Sequence, residues 1–276
     1  MIQFIIKEGV GVRYRKATVA FVLSALILAC ASHNGRNSMS ESGKSGGVSG
    51  AVITVAAPGG YVTADAAFVV SVPYLVIQED GRIIRLAQGP GGHWNVWKTG
   101  RLTTPSLPEL LQRLEDLGFW EWDSRAVERE VHATTLITDL PTTAITVRAG
   151  GREKTFACYG LRQYWQHHAI PALRQPVAAL DLLEGLPAPD IYYPPAGEVL
   201  LIPLDEPLPR NATPGAWPLP ALPLRVSSGV HRGSLLGAYD GPEFRQIVEV
   251  LSRHSLVRFD GKFYSAAYRP SFNVGR

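Results

Sequence analysis

Residues 106–118, SLPELLQRLEDLG, carry the clearest secondary-structure signal in the chain. Ser106 and Glu109 have the spacing of a capping box, and the proline between them is tolerated in the first turn of a helix. The leucines recur at helical spacing and form one apolar face. Gly118 can adopt the left-handed conformation that ends many helices. The stretch therefore predicts an amphipathic helix that packs through its leucine face.

Strand patterns rich in Val, Ile and Thr lie on both sides of this helix. The predicted strands are residues 66–72, 74–78, 82–87, 93–98, 132–137, 142–147 and 154–159. A more broken helical region follows at residues 161–186, where Pro171 and Pro176 limit the individual helices. Neighbouring strands joined by short turns, with helices grouped apart from them, predict an α+β fold built on an antiparallel sheet or meander.

Residues 187–223 hold eleven of the chain's 21 prolines. Proline at this density removes backbone donors and favours extended segments, so we interpret the stretch as a proline-rich connector with one edge strand at residues 198–202. Its Leu, Ile and Trp residues favour packing over a docking motif for a polyproline-binding partner. The connector separates an α+β domain at residues 51–186 from a smaller C-terminal α+β unit at residues 224–276.

The C-terminal unit repeats a pattern of the first domain. Residues 240–243 (DGPE) match residues 106–109 (SLPE) as cap, any residue, proline and glutamate. Residues 256–260 then match residues 119–123, which we expect to leave the helix as a short extended piece. The match suggests a duplicated helix–strand unit.

The N-terminal part of the chain has the order of a secretory signal. Arg13, Arg15 and Lys16 form a basic start, residues 17–29 carry no charge, and Cys30 follows a small residue. The uncharged run is shorter than the roughly 20 residues that span a bilayer. We therefore expect a signal peptide at residues 1–29, and a Ser/Gly-rich flexible tether at residues 30–50.

The net charge argues against a nucleic-acid partner. Removal of the segment before Cys30 takes a net +3 from the formal +3 of the whole chain, which leaves a charge near zero. A nucleic-acid-binding protein needs a basic face that displaces counterions from phosphates. No sequence motif for a nucleotide, a hydrolase elbow or a zinc protease is found either, so we expect no cofactor.

Three aspartates are the candidates for acid–base chemistry. Asp123, Asp139 and Asp260 each lie at the end of a predicted element, where a catalytic carboxylate can be found. Such residues serve equally well to bond the backbone in turns, and Thr138 and Pro141 favour that role for Asp139. A secreted or periplasmic hydrolase that uses Asp123 and Asp139 therefore stays an alternative, and we assign no catalytic residue.

Four tryptophans and Asp139 form our predicted binding surface. The residues are Trp94, Trp97, Trp120, Trp122 and Asp139. Paired tryptophans can line a groove for carbohydrate or peptide, although the same spacing is typical of an aromatic core.

The remaining chemically active residues favour structural roles. Cys158 is expected to be a small buried side chain in a strand, and Cys30 is the one other cysteine in the sequence. A catalytic thiol would need a base beside it. His167 and His168 are adjacent, so on a helix they point about 100° apart and are poorly placed to hold one ion. We predict no metal site.

The sequence resembles a domain of unknown function that occurs in uncharacterised bacterial lipoproteins and secreted proteins. The resemblance covers residues 62–186 and is carried by the tyrosine-led hairpin with its DG turn (residues 74–86), the capped leucine helix with its Gly-Phe-Trp exit, TDLPTT (138–143), ITV (145–147) and GGREK (150–154). It implies an α+β domain and transfers no catalytic or binding residue.

The small residue followed by Cys30 also resembles a bacterial lipoprotein signal. In that family the signal is cut before the cysteine, and the thiol carries lipid. Ala31 and Ser32 lack the aspartate that implies retention in the inner membrane, so the resemblance favours the outer membrane. We expect a lipid-anchored protein of the bacterial cell envelope that faces the periplasm or the exterior and binds or supports another envelope protein without catalysis. A protein inhibitor or chaperone-like binder is the second alternative.

Overall fold

A computed structural model describes most of the chain after the predicted tether. The described residues are 51–60, 63–89, 94–134, 137–204, 208, 212–222, 225–226 and 233–272. The predicted signal peptide, residues 1–29, and the predicted tether with Cys30, residues 30–50, lie outside the described residues.

Helices and antiparallel sheets combine in the described part of the chain, which confirms the predicted α+β fold. The helices are α1 Ala64–Val69, α2 Leu107–Asp116, α3 Ser124–His132, α4 Leu161–His168, α5 Arg174–Glu184 and α6 Gly241–Leu251. A short 3-10 helix, Pro171–Leu173, precedes α5.

The first sheet has seven strands in the order β6-β5-β1-β2-β3-β4-β7. The strands are β1 Ala51–Ala56, β2 Leu75–Gln78, β3 Arg82–Gln88, β4 Trp94–Arg101, β5 Thr142–Ala149, β6 Arg152–Tyr159 and β7 Asp190–Ile191. All neighbours are antiparallel. Ile53 of β1 lies opposite Ile77 on one side and Val147 on the other, so β1 joins a meander, β2 to β4, to a hairpin, β5 and β6.

The second sheet has six strands in the order β10-β11-β8-β13-β12-β9. The strands are β8 Ala196–Pro203, β9 Gly215–Ala216, β10 Arg225–Val226, β11 Leu235–Asp240, β12 Leu256–Phe259 and β13 Lys262–Pro270. β8 contains the strand predicted at residues 198–202. The prediction of an edge position was wrong, because β11 and β13 pair with β8 on both sides.

Two hydrophobic cores lie on opposite faces of the first sheet, and all described residues belong to one compact unit, Ser45–Arg276. The first core joins the sheet to α2, α3, α4 and α5. The second joins its other face to the second sheet, α1 and α6. Leu75, Val76 and Ile77 are therefore all buried, as expected for a strand covered on both faces.

The predicted helix at residues 106–118 is confirmed as α2. The backbone N–H of Ser106 donates to the Glu109 carboxylate at 2.7 Å, and this bond lowers the pKa of Glu109. Leu110 and Leu114 are buried in the first core. Gly118 follows with φ of 80°, as the left-handed stop requires.

Two predicted strands were wrong. Residues 66–72 fall largely in helix α1, with Phe68 and Val69 buried in the second core. In the strand predicted at residues 132–137, His132 ends helix α3 and residues 133, 134 and 137 are not in a strand, whereas residues 135 and 136 lie outside the described residues. An apolar run of a few residues fits a buried helix as well as a buried strand, because periodicity does not separate the two.

The hypothesis of a duplicated unit also needs correction. Residues 119–123 form a turn that leads from α2 into α3, whereas residues 256–259 form strand β12 directly after α6. In the first sheet the leading strand of the hairpin, β5, pairs with the next interior strand, β1. In the second sheet the trailing strand of the hairpin, β13, pairs with the interior strand β8. The two units therefore differ in connectivity.

Candidate functional site

Three tryptophans of the predicted binding surface belong to different cores: Trp97 lies in the second core, whereas Trp120 and Trp122 pack against the first. Trp97 is fully buried in the second core, where its indole N–H donates to the Tyr268 carbonyl oxygen at 3.3 Å. Its backbone N–H donates to the Tyr268 hydroxyl. Trp97 thus joins the two sheets, and we correct its assignment to a surface. Trp94 begins β4, and its side chain lies outside the described residues.

Trp120 and Trp122 are placed together by the turn after α2. The Trp122 indole N–H donates to the Leu117 carbonyl oxygen at 3.0 Å, which ties the turn to the end of the helix. Phe119 is buried beneath both tryptophans and meets each ring edge to face. Trp122 also packs edge to face on Phe156 of β6. This group therefore anchors the turn on strand β6.

Trp120 remains partly exposed at the side of β6, next to two basic residues. The Arg152 guanidinium lies 4.2 Å from the centre of the Trp120 ring, and it forms an exposed ion pair with Glu115 at 3.4 Å. The Lys154 ammonium donates to the Trp120 carbonyl oxygen. Arg152 and Lys154 alternate with Glu153 along the strand, so both cations lie on the face that carries Trp120.

β6 is the one long edge strand in the part of the chain that the structure describes. The other terminal strands, β7, β9 and β10, have two residues each, whereas β6 has eight. It pairs with β5 along its whole length on its inner side. Folded proteins usually keep edge strands short or cover them, because an open edge offers unpaired N–H and C=O groups to other chains.

The backbone groups that point out from this edge can be identified from the strand register. The Ala157 N–H donates away from β5, to the Ser124 hydroxyl at 2.9 Å. Backbone direction alternates along a strand, so Glu153 and Thr155 also direct their N–H and C=O groups outwards. The side-chain hydrogen bond between Thr155 and Thr146, at 2.8 Å, fits this register. Among the described residues, Ser124 covers Ala157, and no partner is found for the outward groups of Glu153 and Thr155.

Asp139 lies at the opposite end of β6 from Trp120. It occupies a left-handed turn with φ of 63°. The next residue, Leu140, donates its N–H to the Tyr159 hydroxyl at 3.0 Å. Arg152 and Tyr159, at the two ends of β6, are separated by about 23 Å at the usual rise of a strand. Asp139 and the tryptophan pair therefore do not form one compact site.

The other candidate residues for acid–base chemistry have local structural roles. The Asp123 carboxylate accepts the backbone N–H of Arg125 at 2.9 Å and caps helix α3. Asp260 occupies a left-handed turn between β12 and β13. Cys158 is buried in the first core, and burial together with the nearby Glu128 raises the pKa of its thiol to about 12. The thiol is therefore protonated at neutral pH.

A polar cluster that sequence reasoning missed joins the helices of the first core to the sheet. We call it the Glu184 cluster, and its members are Tyr74, Arg85, Arg162, Asp181 and Glu184. The Tyr74 hydroxyl and the Arg162 guanidinium each donate to one Glu184 oxygen at 2.7 Å. Burial, together with the Glu184 carboxylate, raises the pKa of Tyr74 well above its ordinary value.

The remaining contacts of the Glu184 cluster hold the end of α5. Arg162 also pairs with Asp181 at 2.7 Å. Arg85 of β3 donates to the Glu184 and Leu186 carbonyl oxygens, at 2.7 Å and 3.2 Å. These bonds satisfy carbonyl groups that a helix end leaves unpaired. The cluster acts as a clamp between α4, α5 and the sheet.

The described residues contain no group of three or more His, Cys, Asp and Glu side chains with metal-binding geometry. His167 and His168 are exposed at the end of α4. Within the same residues, every helix is too short or too polar to cross a bilayer.

Comparison with known protein families, with curated proteins and with solved structures finds no match to this chain.

Proposed function

We propose that this protein is a binding module of the bacterial cell envelope, held at the membrane by a lipid on Cys30, and that it works by contact with another envelope protein. The observation that carries the binding role is the open edge of β6 with Trp120 beside it. An eight-residue strand paired on one side only, next to a partly exposed aromatic ring, offers both backbone hydrogen bonds and apolar area to a partner.

The proposed location in the cell envelope rests on the sequence. A basic segment, a short uncharged run and a small residue before Cys30 have the order of a lipoprotein signal. In this proposal, residues 34–50, which are rich in Ser and Gly, connect the anchor to β1. The outer membrane is the proposed location, because aspartate does not follow Cys30.

The structural roles of the candidate residues favour binding over hydrolysis. The Asp123 carboxylate accepts a hydrogen bond from the backbone of its own helix. Asp139 belongs to a turn that lies about the length of β6 away from the partly exposed Trp120. A hydrolase remains the alternative. It would be supported if Asp123→Ala or Asp139→Ala abolished a substrate-dependent activity while the fold stayed intact.

A crosslinked pull-down of the tagged protein, beside a Cys30→Ala variant, tests the proposal. We expect the wild type in the membrane fraction with one reproducible partner, and the variant unprocessed or mislocalised. Equal solubility of both versions would refute the lipid anchor. Tight binding to one soluble partner, unchanged by Cys30→Ala, would support the inhibitor or chaperone-like alternative instead.

A further inference from the structure

We propose that the open segment of β6, residues 152–156, binds an extended segment of a partner protein as an added β-strand, and that the partner places an acidic residue opposite Lys154. The inference rests on the proposed binding function and deepens it by naming the site and the chemistry of the partner. Strand addition to an exposed sheet edge is a common mode of peptide recognition, in which main-chain bonds give affinity and alternate side chains give specificity.

The length of the open segment determines how long the partner segment must be. Helix α3 blocks the far end of the edge, because the Ser124 hydroxyl already accepts the Ala157 N–H. The outward backbone groups of Glu153 and Thr155 remain, and they form hydrogen-bonded pairs with an incoming antiparallel strand. A partner segment of about five residues is therefore sufficient.

The charges on residues 152–154 determine which side chain the partner should place opposite Lys154. Lys154 lies between Glu153 and Thr155, at a position where the side chains of an added antiparallel strand come closest. Its ammonium is bonded to a neutral carbonyl group, whereas Arg152 pairs with Glu115 and Glu153 pairs with Arg148. An acidic residue opposite Lys154 complements the one cation in this segment without an ion pair among the described residues. Oppositely charged cross-strand pairs of this kind stabilise sheets.

The other face of the added strand should carry small β-branched residues. Thr155 is hydrogen-bonded to Thr146, and the Arg148–Glu153 pair is closed at 2.9 Å. Neither pair requires a further charge. The partner pattern that follows is a β-branched residue, an acidic residue and a β-branched residue.

A second copy of this chain is a poor occupant of the same edge. In a dimer, the β6 strands of two copies would pair antiparallel about a two-fold axis. If the axis passed at Arg152, Glu153 or Lys154, like charges of the two copies would lie opposite each other, and such pairs are destabilising. The register centred on Thr155 places Glu153 of the second copy opposite Ala157, where α3 already covers the edge. The structure therefore favours a different protein.

The test uses the full-length protein in detergent micelles and a fluorescein-labelled peptide, TVTETVT, followed by fluorescence anisotropy. Thr155→Pro removes one outward N–H, and the edge position tolerates proline because this N–H is not part of the ladder with β5. Thr155→Val is the matched control, since it keeps the N–H and the branched shape. We expect Thr155→Val to bind as the wild type does, and Thr155→Pro to bind at least about tenfold more weakly.

Charge reversal tests the pairing independently of proline. Lys154→Glu should lose affinity for TVTETVT and gain affinity for TVTKTVT, and circular dichroism should show an unchanged fold. Failure of the wild type to bind TVTETVT at about 1 mM would overturn the inference, as would equal binding by Thr155→Pro. Dimerisation of the wild type that Thr155→Pro abolishes would overturn the choice of occupant.

The pull-down separates this inference from the proposed function. A partner captured equally by the wild type and by Thr155→Pro leaves the binding function standing but excludes β6 as its site. A partner lost with Thr155→Pro and retained with Thr155→Val supports both.

Discussion

The Tyr74 hydroxyl offers the most direct test of the Glu184 cluster. Tyr74→Phe removes one hydrogen-bond donor and leaves the aromatic ring in place. A hydrogen bond to a charged group contributes about 1.5–3 kcal/mol to stability. The bond to Glu184 is 2.7 Å long. However, the Glu184 side chain is 32% exposed and keeps its pair with Arg162, so the loss should be in the lower half of this range.

We therefore expect Tyr74→Phe to lower the free energy of unfolding at pH 8 by about 1.5–2 kcal/mol. Urea denaturation followed by circular dichroism measures this change, and an unchanged m-value would show that the same surface is exposed on unfolding. Tyr193→Phe is the matched control, because this tyrosine is 38% exposed. Its loss should stay within about 0.5 kcal/mol, as for most surface substitutions.

The pH dependence of the free energy of unfolding gives a second test of the bond between Tyr74 and Glu184. Burial, with the Glu184 carboxylate, raises the pKa of Tyr74 in the folded protein above its ordinary value of 10.0. The stability that this shift reflects is present below pH 10 and is lost as the pH rises above the pKa of the unfolded chain. The difference between wild type and Tyr74→Phe should therefore shrink above pH 10, by up to about 1.4 kcal/mol per pH unit. A loss as small as that of Tyr193→Phe, with no change above pH 10, would refute the role of the cluster.

Three further experiments test the packing. Trp97→Ala should lower the free energy of unfolding by about 3–5 kcal/mol. Trp120→Ala should lower it by no more than about 1 kcal/mol, because Trp120 is partly exposed. Equal losses in urea denaturation would contradict the buried position of Trp97. Gly197→Ala should cost about 1–3 kcal/mol, because a Cβ there would overlap the Phe244 ring; a thermal midpoint equal to that of the wild type would contradict this packing. In the Cys30→Ala variant, Cys158 should react with a thiol reagent at pH 8 only after denaturation, since burial raises its pKa to about 12; rapid reaction in the folded protein would disprove this.

Features that depend on neighbouring residues were predictable from the sequence. The capping pair of α2, Ser106 and Glu109, lies within three positions, and the turn between β5 and β6 is formed by Gly150 and Gly151 with φ of 57° and 75°. Such local patterns predict the backbone conformation, because the residues that determine a cap or a turn are close together in the sequence.

Helices α1 and α3 were missed because their apolar pattern is short. α1 has six residues, and its apolar run carries no decisive period. α3 buries only Val127 and Val131, which are four positions apart. The signal that could have found it is Asp123, a strong capping residue directly before Ser124.

The candidate site depends on contacts between distant parts of the chain. Tyr74 and Glu184 are 110 positions apart, and neither has a local pattern that identifies its partner. β6 is an edge strand because β5 is its only strand partner, and β5 pairs on its other side with β1, about 90 positions earlier in the chain. Pairing between strands that are far apart in the sequence depends on the packed structure as a whole. Trp120 and Trp122, in contrast, were predicted from their residue type alone.

The interior position of β1, between β5 and β2, has a consequence for the folding chain. As the chain is synthesised, β1 can pair with β2 early, since Ile53 meets Ile77, but its other side stays open until β5 exists. During that interval the free edge of the growing sheet is the apolar strand AVITVA, which is prone to join other unfolded chains. The arrival of the β5–β6 hairpin replaces this edge with one that carries Arg152, Glu153 and Lys154. The β5–β6 hairpin thus places charged side chains at an edge that β1 alone would leave apolar.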